Sequence, residues 1–347
     1  MTATTVPPTM PAAVYQGRRT VTVETLPVPD LGPLDVLIGV SHCGICGTDL
    51  HFVMDGWGKP GSVHGHEYSG VITATGPEVE DWRPGDRVVG GPARGCGACA
   101  PCRSGAEQLC QGRPGFGQEP FQGAFAAYKA LGSDSLFRIP DSLDLRTAAL
   151  AEPVAVALRG VRRAGLHPGQ RALVTGAGPI GLITVCVLRA LGITDVTVSE
   201  PAPARRTRAA ELGATVVSPD QLTAPGLPTE LVEAPFDAAI ECSGRAEAMT
   251  TALAQLGTQG TLVLSGTGLV QPGLDAIRII VHELQITGTY EYGRSDFEDA
   301  LGMLAAGQLP AAELIEPEDV ALSGIQAAME QLAAGELVSK VMVVPHA

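Results

Sequence analysis

Four of the eight cysteines in this 347-residue sequence lie in one glycine-rich stretch with the spacing of a metal site. The stretch reads CGACAPCRSGAEQLC, with Cys96, Cys99 and Cys102 separated by two residues each and Cys110 by seven more. Four thiolates on such a loop can close a tetrahedral shell around Zn²⁺ and leave no position open for a substrate. An iron–sulfur cluster is the competing interpretation, because cysteines with two-residue gaps also suit one. The stretch therefore predicts a structural metal, and the motifs that follow favour zinc.

A second group of possible ligands is divided between the strings GICGTDLH, GHE and AEPVAVAL. Cys46 and His66 offer a sulfur and a nitrogen donor, and Glu67 and Glu152 offer carboxylates. A catalytic zinc takes about three protein ligands and keeps one position for water or substrate. Taken singly, each residue is more often a helix cap or a hydrogen-bonded loop residue. Their joint occurrence predicts a catalytic metal site.

The string GAGPIG puts Gly176, Gly178 and Gly181 in GxGxxG register between the strand ALVT and an apolar helix. The first glycine allows the turn, the second lets the backbone approach a pyrophosphate, and the third lets the helix and the strand pack closely. Glu200 ends the next strand, where a carboxylate accepts hydrogen bonds from the adenosine ribose and repels a 2′-phosphate. The sequence therefore predicts NAD rather than NADP as the cofactor.

Four further residues are candidate cofactor contacts. Pro179 and Ile180 lie inside the glycine motif, Ser265 follows a later strand, and Arg205 follows Glu200 closely. Arg205 and its neighbour Arg206 could soften the preference against NADP, although a solvated helix face is the simpler interpretation for both.

Composition narrows the classes of partner. The net charge is −14, which repels nucleic acid and anionic lipid. No apolar run approaches the ~20 residues of a membrane helix, and the start of the sequence does not resemble a secretory signal. Closely spaced cysteines in such a chain favour metal over disulfides. We therefore expect a cytoplasmic protein that acts on a small molecule, without a nucleic-acid or membrane partner.

The pattern of predicted elements changes along the chain. Short strands separated by Pro and Gly fill residues 12–90, and from about Thr147 strands alternate with helices, which is typical of a parallel sheet covered on both faces. The sequence predicts a mainly β domain over residues 1–157, with the cysteine lobe at 91–123. An inserted α/β domain follows over residues 158–295, and residues 296–347 return to the first domain.

The order of the motifs resembles a known family. GICGTDLH, GHEYSG, PGDRV, CGACAPC, AEPVAVALRGVRRAG, GAGPIG and ECSG resemble the zinc-dependent medium-chain dehydrogenase/reductase family, specifically its polyol and secondary-alcohol branch. Sorbitol, threonine and butanediol dehydrogenases belong to that branch. The resemblance covers nearly the whole chain. It implies a GroES-like catalytic domain with an inserted Rossmann domain, and a homodimer or homotetramer.

The resemblance also implies the roles of the second ligand group. Cys46 and His66 would ligate the catalytic zinc, Glu67 would do so in some states, and Cys43 would be a packing residue. Glu152 stands where the alcohol dehydrogenases of the family carry a second cysteine, which implies a direct ligand or the holder of the zinc-bound water. With the cysteine lobe, two zinc ions per chain are implied.

The reaction that follows is the reversible oxidation of a secondary alcohol, polyol or amino-alcohol to a ketone, with hydride transfer to NAD. We expect Thr48 to relay the alcohol proton and His51 to pass it toward solvent. A non-redox or catalytically inert member that binds NAD and zinc is the alternative. Zinc-free quinone or enoyl reductases share the fold, but they lack the cysteine lobe and the GHE string.

Some positions depart from the family pattern. His64 and His42 are unusual where they stand, and we expect both to be structural residues with satisfied hydrogen bonds rather than ligands. Glu291 lies in a region where sorbitol-type members carry an arginine, so it either faces a substrate hydroxyl or amine or points to solvent. Phe52, directly after His51, offers no hydroxyl group to bind a polyol. Candidate substrate-wall residues are Trp57 and, in the loop from Arg113 to Gln122, Phe116 and Phe121.

Overall fold

The computed structural model describes residues 6–92, 94–112 and 122–346, which divide into two compact units. The first, called the β unit below, comprises Met1–Glu152, Gly293–Gly307 and Ala311–Ala347. The second, called the α/β unit, comprises Pro153–Tyr292 and Gln308–Pro310. The chain thus leaves the β unit after Glu152 and returns at Gly293, and three further residues, Gln308–Pro310, also belong to the α/β unit.

Strands and helices are numbered in chain order. The strands are β1 Thr9–Gly17, β2 Thr20–Pro27, β3 Asp35–Gly44, β4 Glu67–Thr75, β5 Arg87–Gly90, β6 Tyr128–Gly132, β7 Leu136–Arg138, β8 Arg171–Thr175, β9 Asp195–Ser199, β10 Thr215–Val217, β11 Phe236–Glu241, β12 Leu256–Leu264, β13 Gln285–Gly288, β14 Val320–Ala321 and β15 Met342–Val344. The α-helices are α1 Gly47–Leu50, α2 Ala100–Arg103, α3 Leu145–Ala148, α4 Ala151–Ala164, α5 Pro179–Ala190, α6 Pro203–Glu211, α7 Ala246–Ala254, α8 Ala276–Val281, α9 Arg294–Ala305, α10 Ala311–Leu314 and α11 Ile325–Ala334.

The β unit is built on a sheet with strand order β14-β15-β3-β4-β5-β7, and β6 also pairs with β3. The central pair, β3 and β4, is antiparallel and sets Ile38 opposite Ile72, both fully buried. Phe125 is buried in the same core. Because only 4% of the residues are aromatic, aliphatic side chains provide most of this core. The same pairing places Gly44 opposite Glu67, which brings two predicted site segments together.

The α/β unit contains a parallel sheet with strand order β10-β9-β8-β11-β12-β13. The chain proceeds outward from β8 through β9 to β10, and then from β11 to β13 on the other side. Such a doubly wound sheet binds ligands at the carboxyl ends of its strands, where the order reverses. The reversal lies between β8 and β11, so the predicted Rossmann fold is confirmed.

The glycine motif forms the turn between β8 and α5. Gly176 has φ 91°, which favours glycine, and its N–H donates to the Ser199 carbonyl at 2.9 Å. Gly178 precedes α5, and Pro179 occupies the first turn, where its missing N–H costs nothing. A Cβ on Gly181 would lie 1.9 Å from the Gly176 carbonyl oxygen. The turn can therefore close onto the helix only with glycine at position 181.

Several elements were not predicted. The sequence analysis did not anticipate α8, β13, α10 or the short strands β6, β7 and β14. The run RIIVHELQITG contains no strong turn residue between α8 and β13, so its helix and strand could not be separated by pattern. Among the described helices, none has the length and apolar character required to cross a membrane.

The packing of the glycine turn gives a test by substitution. Gly181→Ala forces the turn away from α5, and we expect the free energy of unfolding to fall by about 1–3 kcal/mol. A Cβ on Gly178 meets no atom within 4 Å, so Gly178→Ala should change stability by less than about 1 kcal/mol. Urea unfolding without nucleotide measures both variants. Equal stability of the two would contradict this account of the turn.

Candidate active site

Three of the predicted zinc ligands converge in the β unit. The ligand atoms of Cys46, His66 and Glu67 all lie within 4.8 Å of one another. Cys46 precedes α1, His66 precedes β4, and Glu67 is the first residue of β4. The pairing of β3 with β4 joins the two segments. The structure thus brings together donors that are 20 positions apart in the sequence.

Asp49 connects these segments, although the sequence analysis did not single it out. Its buried carboxylate accepts hydrogen bonds from the Cys46 N–H at 2.9 Å and the Gly65 N–H at 3.2 Å. One of its oxygens also lies 3.7 Å from Nδ1 of His66. The sequence did contain a signal for Asp49. It lies in the first turn of α1, three residues after Cys46, and an acidic side chain at this position often accepts a hydrogen bond from the backbone N–H of the residue that precedes the helix.

Glu67 is paired with a buried lysine that the sequence analysis also missed. Lys340 Nζ donates to Glu67 Oε1 at 2.7 Å and to the Ile45 carbonyl at 3.0 Å. Both charged side chains are buried. Burial alone would lower the pKa of Lys340, but the negative charges of Glu67 and Cys46 outweigh it and raise that pKa. The only signal in the sequence was a lysine within the apolar string SKVMVVP.

The second oxygen of Glu67 fits a metal site. Oε2 is buried and accepts no hydrogen bond from any residue that the structure describes. A Cβ on Gly44 would lie 2.2 Å from it, so glycine makes room for this oxygen. A buried carboxylate oxygen without a donor is costly unless a cation faces it.

The electrostatics of the site favour a cation as well. Burial works against a charged His66, but the nearby Asp49 and Cys46 raise the pKa of His66 well above its ordinary value. The negative electrostatic potential that raises the pKa of His66 also attracts a divalent cation. Thiolate, imidazole and carboxylate are ligands that zinc accepts. The residues present therefore fit a catalytic zinc ion.

Glu152 lies outside the set of ligand atoms that fall within 4.8 Å of one another. It is buried in the first turn of α4. Its charge nevertheless contributes to raising the pKa of both His66 and Lys340. Glu152 thus adds negative charge near the site, and its role as a ligand or a water holder stays a prediction.

The predicted proton path begins on α1. Thr48 is half-buried there, and His51 begins a π-helical turn that runs from His51 to Asp55. His51 Nδ1 lies 2.7 Å from Asp55 Oδ2, and its ring stacks on Trp57 with centroids 4.5 Å apart. The His51 side chain is 28% exposed. It is thus oriented by a carboxylate and an aromatic ring while it reaches solvent.

The other histidines do not join the ligand set. His64 is buried and stacks on Phe52 with ring centroids 4.8 Å apart. The expectation that its hydrogen bonds are satisfied is wrong, because neither ring nitrogen has a partner among the described residues in this aromatic environment. His42 Nε2 lies 3.4 Å from Asp319 Oδ2. Cys43 is fully buried, and burial raises its pKa well above the ordinary value. Of the candidate wall residues, Trp57 stacks on His51, whereas Phe116 and Phe121 lie outside the described residues.

The cysteine lobe forms a second convergent site. The sulfur atoms of Cys96, Cys99, Cys102 and Cys110 all lie within 4.8 Å of one another. Backbone N–H groups stabilise thiolates here: those of Cys96 and Gly112 donate to Cys110 Sγ at 3.2 and 3.3 Å. Similar bonds lower the pKa of Cys99 to about 6. Thiolates arranged in this way fit a closed, tetrahedral zinc site.

In the α/β unit, Glu200 lies at the carboxyl end of β9, where the motif predicts it. Its Oε2 accepts from the Ala177 N–H in the glycine turn at 2.7 Å, and its Oε1 accepts from the Ala202 N–H at 2.9 Å. The side chain is only 4% exposed. Glu200 therefore also holds the glycine turn in shape, which the motif alone did not predict.

Arg206 and Glu291 are two further residues of the α/β unit that the sequence analysis considered. Arg206, expected on a solvated helix face, is of intermediate exposure, and its guanidinium donates to the carbonyls of Glu200 and Pro201 just before α6, both at 2.6 Å. Arg205 beside it is half-buried. Glu291, after β13, has a backbone φ of 48°, uncommon for a residue with a Cβ. Its role stays a prediction.

Comparisons with known proteins agree with this description. The family model of the "Alcohol dehydrogenase GroES-like domain" matches residues 32–141, and that of "Zinc-binding dehydrogenase" matches residues 179–306. Sorbitol dehydrogenase of Bacillus subtilis is 34% identical, over 99% of both chains.

Solved structures give the same result. 2R,3R-butanediol dehydrogenase of Bacillus subtilis has a TM-score of 0.85 and 29% identity, and the alignment covers 97% of this chain and 99% of that one. A zinc-binding dehydrogenase of Sinorhizobium meliloti, solved with NADP, has a TM-score of 0.85, 30% identity and the same coverage.

The GroES-like and Rossmann units, with their donor sets, define a zinc-dependent oxidoreductase that uses a nicotinamide dinucleotide. More narrowly, the chain belongs to the zinc-dependent medium-chain dehydrogenase/reductase family, in its polyol and secondary-alcohol branch. Zinc and NAD are its cofactors. The expected family, fold and class of reaction are thereby confirmed.

The buried ion pair at the site can be tested by a double substitution. Lys340→Met leaves the Glu67 carboxylate buried without its lysine, and we expect the free energy of unfolding to fall by about 3–5 kcal/mol. Adding Glu67→Gln should restore most of this loss, because the unpaired charge is then removed. Urea unfolding after a chelator has removed the zinc measures each step, so that no metal ion offsets the Glu67 charge.

An exposed ion pair is the control. Arg138 lies 2.8 Å from Asp86 and its side chain is 55% exposed, so Arg138→Met should cost no more than about 1 kcal/mol. If Lys340→Met is as mild as Arg138→Met, the pair with Glu67 does not have the importance assigned to it here.

Proposed function

We propose that this enzyme reversibly oxidises a secondary hydroxyl group of a small polyol, or of a related alcohol or amino-alcohol, to a ketone, with NAD⁺ as the hydride acceptor. The observation that carries the proposal is the convergence of Cys46, His66 and Glu67 within 4.8 Å, in a chain that also has a dinucleotide-binding sheet. The similar proteins named sorbitol dehydrogenase and butanediol dehydrogenase support this class of substrate.

Cys46, His66 and Glu67 would hold the catalytic zinc, with Glu152 as a further ligand or as the partner of a bound water. Zinc in this position would supply Lewis acidity that lowers the pKa of the substrate hydroxyl. The protein's part is to fix the ligands. Asp49 holds the backbone before both Cys46 and His66, and Lys340 engages one oxygen of Glu67, which leaves the other without a hydrogen-bond donor among the described residues.

The alcohol proton needs a path to solvent. In our proposal the Thr48 hydroxyl accepts it and passes it to His51. Asp55 accepts a hydrogen bond from Nδ1 of His51, which leaves Nε2 as the proton acceptor. Partial exposure of His51 lets water take the proton onward.

The hydride goes to the nicotinamide of NAD⁺. We assign the pyrophosphate to the turn from Gly176 to Gly181, whose N–H groups begin α5, and the adenosine ribose to Glu200. Pro179, Ile180, Arg205 and Ser265 are further contacts in this proposal. A relative that binds NADP makes the direct comparison of both nucleotides useful. The Glu200 carboxylate is expected to disfavour the 2′-phosphate.

The cysteine lobe would hold the structural zinc. Its four sulfur atoms take all tetrahedral positions, so this ion would stabilise the lobe without contacting substrate. We also propose a cytoplasmic location, because a reducing compartment keeps such thiolates available for metal.

We further propose that two copies of the chain form a homodimer through the outer edge of the α/β unit. This dimer is either the complete assembly or half of a tetramer. β13 is the edge strand of the sheet in this unit. Exposed apolar side chains lie on α8 and on the segment that precedes it: Leu269, Val270, Leu274, Ile277, Ile280 and Val281. An apolar patch of this kind marks an interface, and a two-fold axis would let it meet its own copy.

The catalytic proposal is tested with a panel of polyols, secondary alcohols and amino-alcohols. Purified enzyme with NAD⁺ should produce NADH, followed by its absorbance, with at least one of them. Cys46→Ser should lower turnover by about a hundred-fold or more and remove one zinc ion, because a ligand is lost. Cys99→Ser should instead remove the other zinc ion. Absence of NADH with every substrate, despite both zinc ions, would favour the inert alternative.

Cys186→Ala is the matched control for the cysteine substitutions. Cys186 is buried in α5 of the α/β unit and belongs to neither donor set. The variant should keep its zinc content and its turnover. Unchanged zinc content in Cys46→Ser, measured by elemental analysis, would contradict the assignment of the catalytic metal.

The proposed interface is tested by sedimentation velocity. Ile280 is 73% exposed, so Ile280→Glu should leave the fold intact and convert the dimer to a monomer, since an unpaired charge would be buried in the interface. Leu34→Glu, at an exposed position of the β unit, should have no such effect. A monomeric wild-type enzyme, or a variant that still dimerises, would contradict the proposal.

A further inference from the structure

Glu241 is a buried carboxylate in the α/β unit to which no role has been assigned so far. It ends β11 and is fully buried. Its Oε1 accepts from the N–H groups of Ser243 and Gly244 at 2.7 and 3.1 Å and from the Ser243 hydroxyl. Its Oε2 accepts from the Gly244 N–H at 3.0 Å. The carboxylate therefore fixes the loop that directly follows its own strand.

The main chain of the same residue fixes a second loop. The Glu241 carbonyl accepts from the N–H groups of Ser265 and Gly266, at 2.9 and 2.8 Å, just after β12. A Cβ on Gly266 would lie 2.1 Å from the Gly244 nitrogen, and one on Gly268 would lie 2.0 Å from the Gly244 oxygen. The two loops are thus in direct backbone contact, with no room for a side chain between them.

This pair of loops also contacts the glycine turn. A Cβ on Gly176 would lie 2.9 Å from Cβ of Ser243, and the Thr175 hydroxyl donates to Glu241 Oε1 at 3.4 Å. The loops after β8, β11 and β12 therefore form one packed layer at the carboxyl edge of the sheet. Burial raises the pKa of Glu241, although the bonds from Ser243 and Gly244 oppose the rise.

The strand order indicates which part of the dinucleotide this layer serves. Glu200 lies at the end of β9, on one side of the reversal between β8 and β11, and the glycine turn lies at β8. A dinucleotide spans such a reversal, with one nucleotide on each side. If the adenosine half lies toward β9, the nicotinamide half extends toward the loops after β11 and β12.

We propose that Glu241 is a positioning residue for the nicotinamide half of the cofactor, which it serves by fixing the loops after β11 and β12. The inference rests on the proposed function in one respect, namely that the adenosine half binds at the glycine turn and Glu200. Glu241 itself does not contact the cofactor. Its effect passes through the backbone of Ser243, Gly244 and Ser265.

The test compares NADH with AMP, which carries only the adenosine half. In Glu241→Gln, an amide –NH₂ in the place of Oε2 meets the Gly244 N–H that donates to this oxygen, and because two donors then face each other, we expect the loop to move away. We expect the Kd for NADH and the KM for NAD⁺ to rise about ten-fold, and the Kd for AMP to stay within about two-fold of wild type. Fluorescence titration measures NADH, and competition against it measures AMP.

A matched control lies on the same strand. Asp237 is near the amino end of β11, where its carboxylate accepts from the Arg171 N–H at 2.7 Å. Asp237→Asn should change neither affinity. Should Glu241→Gln fold poorly, Ser243→Ala removes a single bond to the same carboxylate, and it should weaken NADH binding about three-fold with AMP binding unchanged.

Two outcomes would overturn the inference. In the first, Glu241→Gln and Ser243→Ala both bind NADH with the affinity of the wild type. In the second, both variants lose affinity for AMP and for NADH by the same factor, as expected of a residue that only stabilises the unit as a whole. The proposed function fails separately, and visibly, if the wild-type enzyme itself binds neither AMP nor NADH.

Discussion

Negatively charged side chains that are buried close together repel one another unless a cation lies among them, and the β unit is organised around this constraint. Asp49, Glu67 and Cys46 converge with His66, and the buried Lys340 engages one carboxylate oxygen of Glu67. The remaining oxygen of Glu67 and the raised pKa of His66 show that further positive charge is favoured. A zinc ion held by these donors satisfies the constraint and supplies the chemistry of the family.

The α/β unit uses buried carboxylates in another way. Glu200 and Glu241 stand at the ends of β9 and β11, the strands on either side of β8, and each accepts hydrogen bonds from the N–H groups of a loop at the carboxyl edge. Loop N–H groups that lack a helix or sheet partner need such acceptors. These bonds fix the loops to which our proposal assigns the phosphate and ribose groups.

Much of the fold and of the donor sets could be predicted, because each motif joins residues that are near in sequence. GHE, CGACAPC and GAGPIG carry their own spacing, and the alternation of strands with helices identifies the parallel sheet. The partners of those residues could not be predicted in the same way. Lys340 and Glu67 are 273 positions apart, and their pairing depends on how β15 and β4 flank β3. Helical periodicity likewise does not reveal that the guanidinium of Arg206 reaches back to carbonyls before α6.

The central claim is that a metal ion lies among Cys46, His66 and Glu67. Anomalous diffraction at the zinc absorption edge, from crystals of the active enzyme with NAD, tests it most directly. The account predicts two strong peaks in each chain, one enclosed by the sulfurs of the cysteine lobe and one among these three side chains. A single peak in the cysteine lobe, from crystals whose dissolved enzyme turns over, would contradict it.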